Sequence, residues 1–390
     1  MKKKNVVILG STGSIGENTL EVVRRYPAKF SVLALTAYDN NDLLKKQVEE
    51  FRPRYAAVGE SRLPELKKAL TGQRIKLLSA QKDLSHIAAL PEADVVVVGM
   101  SGSAALEPFL SAVRAGKRVA PANKEALVIA GEIIMREARK NRAEVIPVDS
   151  EQSAIFQCLE GHNCEELHKV YLTASGGALL TTPVSQFPKL SIDDILKHPR
   201  WNMGRKITVD SATLMNKGFE VIEAKRLFGL EDGQIEVVIH KEAVIHSMIS
   251  FSDASIIAQL GVTDMRIPIQ YALTYPERWK TGLPDVDFLK LGQLHFEAPD
   301  FKKFPALGLA FEAARQGGTM PAVLNAADEV AVEAFLTGKI RFVDIYPLVE
   351  RVVRGHRVRK ARLDEILQAD QWAREEVLRR ISKKRNSGKI

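Results

Sequence analysis

The chain has 390 residues, of which 45% are hydrophobic and 27% are charged, with a formal net charge of +8. This balance is typical of globular proteins and excludes a disordered chain, and the length allows two or three domains. Residues 351–390 hold 13 Lys and Arg against 5 Asp and Glu, so the first 350 residues are neutral overall. The basic character is therefore a property of the C-terminal segment, which weakens a nucleic-acid-binding interpretation.

The cysteine content and the apolar runs indicate the compartment. Two cysteines, Cys158 and Cys164, are too few for a disulfide framework, which indicates a reducing environment. The longest apolar runs, such as residues 95–98, are far shorter than the roughly 20 residues that span a bilayer. We therefore expect a cytoplasmic protein without a membrane-spanning segment.

Residues 1–149 alternate short β-branched runs with helical patterns. Because the runs are apolar on both faces, we predict a parallel sheet covered on both sides, which is a doubly wound, Rossmann-like α/β domain. Helices are predicted over residues 15–25, 42–51 and 103–115. Strands are predicted over residues 5–9, 31–36, 55–58, 76–78, 94–98, 118–120 and 143–148.

The pattern changes after residue 149. We predict a central α+β catalytic domain with a mixed sheet over residues 150–275, a linker rich in Pro and Gly over residues 276–306, and a C-terminal helical domain over residues 307–390. Strands are predicted over residues 170–174, 235–239, 247–251 and 255–260, and one continuous helix over residues 211–228.

The first predicted strand leads into a G-x-x-G-x-x-G turn, followed by a helix. Glycines let the backbone approach a pyrophosphate, whose charge is stabilised at a helix N-terminus. A purely structural turn is the alternative, but the position after the first strand favours a dinucleotide site. The predicted cofactor-binding residues of this turn are Gly10, Ser11, Thr12, Gly13, Ser14, Ile15 and Gly16.

The residues after the second strand leave the choice of nicotinamide cofactor open. Asp39 is suited to hold a ribose hydroxyl, as in NAD sites, whereas an NADP site commonly carries an Arg or Lys. No basic residue occurs between Thr36 and Lys45.

The segment PVDSE contains two candidate metal ligands. In an extended chain, Asp149 and Glu151 point to the same side, and paired carboxylates suit Mg²⁺ or Mn²⁺. An exposed acidic turn without a metal is an equally weighted alternative.

The segment VDSATLMNKGFE combines groups that suit a phosphate next to a metal. On a helix, Asn216, Lys217 and Glu220 lie close together, because positions three and four apart are neighbours. A capped amphipathic helix with a common Lys–Glu pair is the alternative. Ser175, in the loop ASGGA, adds a hydroxyl suited to phosphate. The loop HPRWNMGR is interpreted as a lid that excludes water or as a packed surface loop.

These motifs, together with ANKEAL and DMRIPIQYAL, occur in an order that resembles the 1-deoxy-D-xylulose 5-phosphate reductoisomerase family of the methylerythritol phosphate route to isoprenoids. The resemblance covers nearly the whole chain. It implies an NADPH-dependent and divalent-metal-dependent oxidoreductase, a metal-assisted skeletal rearrangement followed by hydride transfer, and the product 2-C-methyl-D-erythritol 4-phosphate. It also implies a homodimer, and Mg²⁺, Mn²⁺ or Co²⁺ as the metal.

The resemblance also assigns roles to individual residues. The catalytic set is Lys124, Asp149, Glu151 and Glu220, of which the three carboxylates bind the metal. Residues 197–206 form the lid. The implied substrate-binding residues are Lys124, Ser150, Glu151, Ser175, His198, Trp201, Met203, Ser211, Asn216, Lys217 and Glu220. The implied cofactor-binding residues outside the glycine turn are Asn40, Asn123, Lys124, Glu125 and Gly204. Many relatives carry a Gly in the segment matching residues 37–40, often with a basic residue following, whereas this sequence reads AYDN there, so the resemblance does not assign the contacts to the 2′-phosphate of NADPH.

Two other classes remain as alternatives. A metal-free NAD(P)-dependent dehydrogenase explains the first domain but not the carboxylates. A nucleic-acid or membrane-surface binder explains residues 351–390 but not the glycine turn.

Overall fold

The computed structural model describes residues 3–197 and 204–386. Its strands are β1 (Lys4–Leu9), β2 (Phe30–Thr36), β3 (Tyr55–Val58), β4 (Lys76–Ser79), β5 (Val95–Val98), β6 (Arg118–Pro121), β7 (Glu144–Val145), β8 (Leu167–Ala174), β9 (Ile235–Ile239), β10 (Ile245–Phe251) and β11 (Ile256–Leu260). Its helices are α1 (Ser14–Arg25), α2 (Asn41–Phe51), α3 (Leu63–Ala69), α4 (Ala80–Ala88), α5 (Leu106–Arg114), α6 (Lys124–Asn141), α7 (Ser150–Leu159), α8 (Ile192–Ile195), α9 (Arg205–Thr213), α10 (Met215–Phe228), α11 (Arg266–Thr274), α12 (Phe288–Leu291), α13 (Pro305–Gln316), α14 (Met320–Leu336), α15 (Ile345–Gly355) and α16 (Leu363–Asn386).

The chain divides into two units. The first contains Met1–Ala126, Ile134–Ser153 and Asp264–Pro284, and the second contains Leu127–Ile133, Ala154–Thr263 and Asp285–Ile390.

The first unit contains a seven-stranded parallel sheet of order β4-β3-β2-β1-β5-β6-β7. The central strands are buried on both faces, as their Val-rich, apolar sequences predict. Successive strands extend from β1 first in one direction and then in the other, so the carboxyl ends of β1 and β5 flank the switch point where ligands bind in such sheets. The predicted doubly wound α/β fold is confirmed.

The second unit contains a four-stranded mixed sheet of order β11-β10-β8-β9. Strand β10 is antiparallel to both β8 and β11, whereas β8 and β9 are parallel. The C-terminal helices α13 to α16 contribute to a single apolar core with this sheet and with α10. The predicted mixed sheet and C-terminal helical content are confirmed.

Residues 264–284, which the sequence divides between a central domain and a linker, pack in the first unit. The Lys4 ammonium donates to the carbonyl of Leu273 at 3.2 Å. The ring of Trp279 lies 4.9 Å from that of Tyr26 and 5.6 Å from that of Phe30, between centroids. These rings belong to residues more than 240 positions apart, so no local sequence pattern predicts the contact. The predicted division into three functional domains and a linker stays a prediction.

Three local predictions are wrong. The helix predicted over residues 211–228 is two helices, because Leu214 has a left-handed backbone conformation with φ 58°. Only Glu144 and Val145 of the strand predicted over residues 143–148 form a strand. Glu151 lies in the first turn of α7 and not in an extended segment, so strand alternation does not place it beside Asp149. In addition, residues 205–206 of the predicted lid loop belong to α9.

Candidate active site

The glycine turn between β1 and α1 is tightly packed. Gly10 has φ +85°, and a Cβ atom there would lie 3.0 Å from the backbone of Gly99. A Cβ atom at Gly16 would lie 2.4 Å from the carbonyl oxygen of Gly10. Gly13 precedes α1, whose N-terminus has no side-chain cap, so backbone N–H groups there remain for an anionic ligand. The remaining residues Thr12, Ser14 and Ile15 are partly or fully exposed.

The side chain of Ser11 holds this turn in place through hydrogen bonds to α2. Its hydroxyl donates to Gln47 at 2.7 Å, and the Gln47 amide donates back to the carbonyl of Ser11 at 2.9 Å. Ser11 is fully buried. Its hydroxyl therefore points into the protein and holds the turn in position. The interaction with Gln47 on α2 was not predicted from the sequence.

A second loop of the first unit is held by Asn123, which caps α6. Its side-chain oxygen accepts from the backbone of Ala126 at 2.9 Å, and its amide donates to the carbonyls of Met100 and Gly102 at 2.7 and 3.2 Å. Asn123 therefore connects the loop after β5 with the start of α6, next to Lys124 and Glu125.

The start of α6 and the start of α7 bring a buried ammonium to a carboxylate. The Nζ atom of Lys124 lies 2.6 Å from Oδ2 of Asp149, and these side chains are 7% and 12% exposed. The hydroxyl of Ser150 donates to Glu151 at 2.5 Å. The pairing balances the charge of Asp149 in a site with little solvent.

The second unit places three predicted site residues together at the start of α10. The Asn216 amide donates to Oε1 of Glu220 at 2.6 Å, and the Lys217 ammonium pairs with Oε2 of the same carboxylate. Lys217 and Glu220 are 3% and 1% exposed. The predicted neighbourhood of these three side chains is observed, although the helix starts at Met215 and not at Ser211.

The loop after β8 packs against the end of α9. Gly177 has φ +69°, and a Cβ atom there would lie 2.3 Å from the carbonyl oxygen of Ser211. This close approach requires glycine and places the loop that carries Ser175 next to Ser211, so two predicted substrate-binding residues belong to touching segments of one unit.

A charge cluster with two buried carboxylates lies beside Ser211 and was not predicted from the sequence. The Lys206 ammonium lies 2.6 Å from Asp210 and 3.3 Å from Asp328 on α14. Burial, followed by the neighbouring Asp328, raises the pKa of Asp210 well above its usual range. The i,i+4 spacing of Lys206 and Asp210 is visible in the sequence, but no local pattern predicts that Asp328 joins them.

The remaining predicted residues have other surroundings. Gly204 precedes α9 and accepts from the hydroxyl of Thr208 at 2.9 Å. Asn40 caps α2 by accepting from the backbone of Leu43 at 3.1 Å. His198, Trp201 and Met203 lie outside the described residues.

The doubly wound sheet with its glycine turn is characteristic of the class of dinucleotide-binding oxidoreductases, and the carboxylates paired with buried lysines are donors of the kind that hard cations accept. Family models agree. Models described as 1-deoxy-D-xylulose 5-phosphate reductoisomerase, as its C-terminal domain and as DXP reductoisomerase C-terminal domain match residues 6–131, 145–228 and 260–376.

Curated relatives and solved structures are similar over nearly the whole chain. The 1-deoxy-D-xylulose 5-phosphate reductoisomerase of Synechococcus sp. (strain JA-2-3B'a(2-13)) is 51% identical over 376 residues, which is 95% of this chain and 96% of the relative. That of Pelotomaculum thermopropionicum is 51% identical over 374 residues, 95% of this chain and 97% of the relative. The Zymomonas mobilis enzyme in complex with NADPH has a TM-score of 0.91 at 39% identity, covering 97% of this chain and 99% of that chain. A DOX-P reductoisomerase in complex with NADPH, fosmidomycin and magnesium has a TM-score of 0.94 at 39% identity, covering 97% of this chain and 98% of that chain.

The chain belongs to the 1-deoxy-D-xylulose 5-phosphate reductoisomerase family. The predicted family and the predicted oxidoreductase function are confirmed. Among the described residues, no helix is long and apolar enough to cross a membrane.

Proposed function

We propose that this chain converts 1-deoxy-D-xylulose 5-phosphate to 2-C-methyl-D-erythritol 4-phosphate with NADPH and a divalent cation, as a step toward isoprenoid precursors. The observation that carries the proposal is the start of α10, where the Lys217 ammonium and the Asn216 amide both contact the buried carboxylate of Glu220. A buried ammonium next to a carboxylate and a helix N-terminus suits a substrate phosphate adjacent to a cation.

We assign the cation to the carboxylates of Asp149, Glu151 and Glu220. Their chemistry fits Mg²⁺, Mn²⁺ or Co²⁺, because carboxylate oxygens are ligands that such cations accept. Asp149 contacts the buried Lys124 and Glu220 contacts the buried Lys217, and these contacts with positive charge support the assignment. A bound cation supplies Lewis acidity toward the ketone and hydroxyl oxygens of the substrate.

The residues of the second unit bind and orient the substrate. Lys217 and the hydroxyls of Ser175 and Ser211 hold the phosphate. The side-chain oxygen of Asn216 is buried without a hydrogen-bond partner among the described residues, and it accepts from a substrate hydroxyl. Holding the phosphate away from the reacting carbons fixes the orientation of the fragments during the rearrangement.

Lys124 and Ser150 act at the reacting end of the substrate. The Lys124 ammonium has little solvent around it, so it stabilises negative charge that develops on a substrate oxygen more effectively than an exposed lysine. Ser150 contacts the substrate hydroxyls. His198, Trp201 and Met203 cover the substrate and exclude water in this proposal, whose support is the family resemblance.

The glycine turn would hold the cofactor, with the N-terminus of α1 facing its pyrophosphate, and the cofactor would supply a hydride when bound. The turn fits this group, because side chains at Gly10 and Gly16 would displace the backbone that approaches it. Asn123 positions the neighbouring loop, and Asn40, Glu125 and Gly204 complete the proposed contacts.

The experiment is a spectrophotometric assay of NADPH oxidation by the purified protein with 1-deoxy-D-xylulose 5-phosphate and Mg²⁺. We expect oxidation that EDTA abolishes and that excess Mg²⁺ restores. Oxidation that is indifferent to EDTA would indicate a metal-free dehydrogenase, and no oxidation in the complete mixture would refute the proposal.

The enzyme acts in the cytoplasm as a homodimer in this proposal. Support for the dimer is strand β11 at the edge of the mixed sheet, where Ile256 is 56% exposed. Support for the compartment is that Cys158 is a buried free cysteine. Sedimentation equilibrium at micromolar concentration is expected to give twice the chain mass, and a monomer mass would contradict the dimer.

A further inference from the structure

The loop that follows β2, at the carboxyl edge of the sheet, contains no basic residue. This loop contains Tyr38, Asp39 and Asn40, and the next residues include Asp42 in the first turn of α2. Asp39 is exposed, and its carboxylate has no hydrogen-bond or ion-pair partner within residues 3–197 and 204–386. Because a 2′-phosphate is an anion, this loop alone would disfavour NADPH relative to NADH.

The loop after β3 lies directly against this segment. The backbone N–H of Gly59 donates to the carbonyl of Tyr38 at 2.9 Å. The side-chain amide of Asn41, at the start of α2, donates to the carbonyl of Arg62 at 3.1 Å. Arg62 is therefore adjacent to the N-terminus of α2, although it is 22 positions beyond Asn40 in the sequence.

The guanidinium of Arg62 remains available for a ligand. It lies 3.6 Å from Oε2 of Glu65, which also accepts from the Asn41 amide at 3.0 Å. Both charged side chains are more than half exposed, and such long, exposed ion pairs are weak. Lys82 is paired more closely, because its ammonium lies 2.5 Å from Glu60.

We propose that Arg62 binds the 2′-phosphate of NADPH and thereby determines the preference of this chain for NADPH over NADH. The inference rests on the proposed function, in which NADPH is the cofactor. A guanidinium binds phosphate through two parallel hydrogen bonds, so it exchanges a weak exposed pair with Glu65 for a stronger charge-assisted one. Asp39 opposes the phosphate and reduces the preference.

The test measures the dissociation constants of NADPH and NADH by cofactor fluorescence at fixed ionic strength. Arg62→Gln is expected to weaken NADPH binding by about tenfold or more and to change NADH binding by less than about twofold, because only NADPH offers the anion. Arg62→Lys is expected to weaken NADPH binding by an intermediate amount, since lysine keeps the positive charge but cannot form the two parallel hydrogen bonds of a guanidinium. Asp39→Asn is expected to tighten NADPH binding by about threefold, because one repulsive charge is removed.

The matched control is Lys68→Gln, which removes one positive charge from α3 two turns beyond Arg62, where the side chain is also exposed. It is expected to leave both dissociation constants unchanged. Equal dissociation constants for NADPH in the wild type and in Arg62→Gln, or an equal loss for NADPH and NADH, would overturn the inference while leaving the proposed function intact. A wild-type protein that binds no NADPH would overturn the proposed function and the inference with it.

Discussion

Glu220 is an assigned metal ligand and also contacts Lys217, which is assigned to the substrate phosphate. Its carboxylate is 1% exposed, and Lys217 and Asn216 contact different oxygens of it. A buried carboxylate in such a place is stable because its charge is balanced by the ammonium. The same charge is what a divalent cation requires from a ligand.

Glu220→Gln is predicted to lower kcat by at least about a hundredfold, because an amide is a poor ligand for a hard cation. Binding of NADPH is expected to change by less than about twofold, since the glycine turn is untouched. Steady-state turnover and fluorescence titration check the two expectations.

The matched control for this prediction is Glu223→Gln on the same helix. Glu223 is also 1% exposed, but it is not among the assigned ligands. We expect this variant to lose thermal stability and to keep its metal-dependent turnover. A comparable loss of turnover in both variants would mean that Glu220 acts through the packing of α10 and not as a ligand.

Side-chain neighbourhoods could be predicted where they depend on helix periodicity alone. Asn216, Lys217 and Glu220 are an example, because spacings of three and four fix them on one side of a helix. For Asp149 and Glu151, the assumed periodicity of an extended strand was wrong. The segment Asp149-Ser150-Glu151-Gln152 has the pattern of a helix start, with a polar cap residue followed three positions later by Gln, and α7 begins there.

At the scale of elements, the break between α9 and α10 shapes the proposed phosphate site. Leu214 has φ 58°, and its side chain is 2% exposed, so tertiary burial fixes a conformation that leucine rarely adopts. The sequence has no Gly or Pro there and therefore predicts one helix. The break gives α10 an N-terminus of its own next to Asn216 and Lys217.

The packing of α10 against α13 depends on Gly218. A Cβ atom at Gly218 would lie 2.4 Å from the Cβ of Ala310, so the two helices approach more closely than a side chain allows. Gly218→Ala is predicted to lower the free energy of unfolding by about 1–3 kcal/mol through overpacking. Urea unfolding followed by circular dichroism measures it.

Gly308→Ala on α13 is the control substitution for the facing helix. The nearest atom to a Cβ there is in the ring of Phe301 at 3.7 Å, which is ordinary contact. We expect no loss, or a gain of up to about 1 kcal/mol, because alanine is the better helix former. Equal destabilisation by both substitutions would argue against a specific close contact at Gly218.

At the scale of the whole molecule, the net charge of +8 has a local explanation. Several C-terminal arginines are paired with carboxylates, as Arg374 is with Glu329 and Asp370. Residues 1–350 are neutral overall, so attraction of a phosphorylated substrate depends on individual basic side chains such as Lys217.

The fold class could be predicted from the sequence, because the alternation of strands and helices is a local pattern. The packing of residues 264–284 in the first unit depends on contacts such as that of Trp279 with Tyr26, which local patterns do not encode.

The chemical structure of the product tests the proposed reaction most directly. We would incubate the protein with 1-deoxy-D-xylulose 5-phosphate, NADPH and Mg²⁺ and follow the carbon skeleton by NMR together with the loss of NADPH absorbance. We expect one molecule of the branched product 2-C-methyl-D-erythritol 4-phosphate for each NADPH oxidised. Oxidation of NADPH that yields an unbranched, simply reduced sugar phosphate would contradict the proposed reaction.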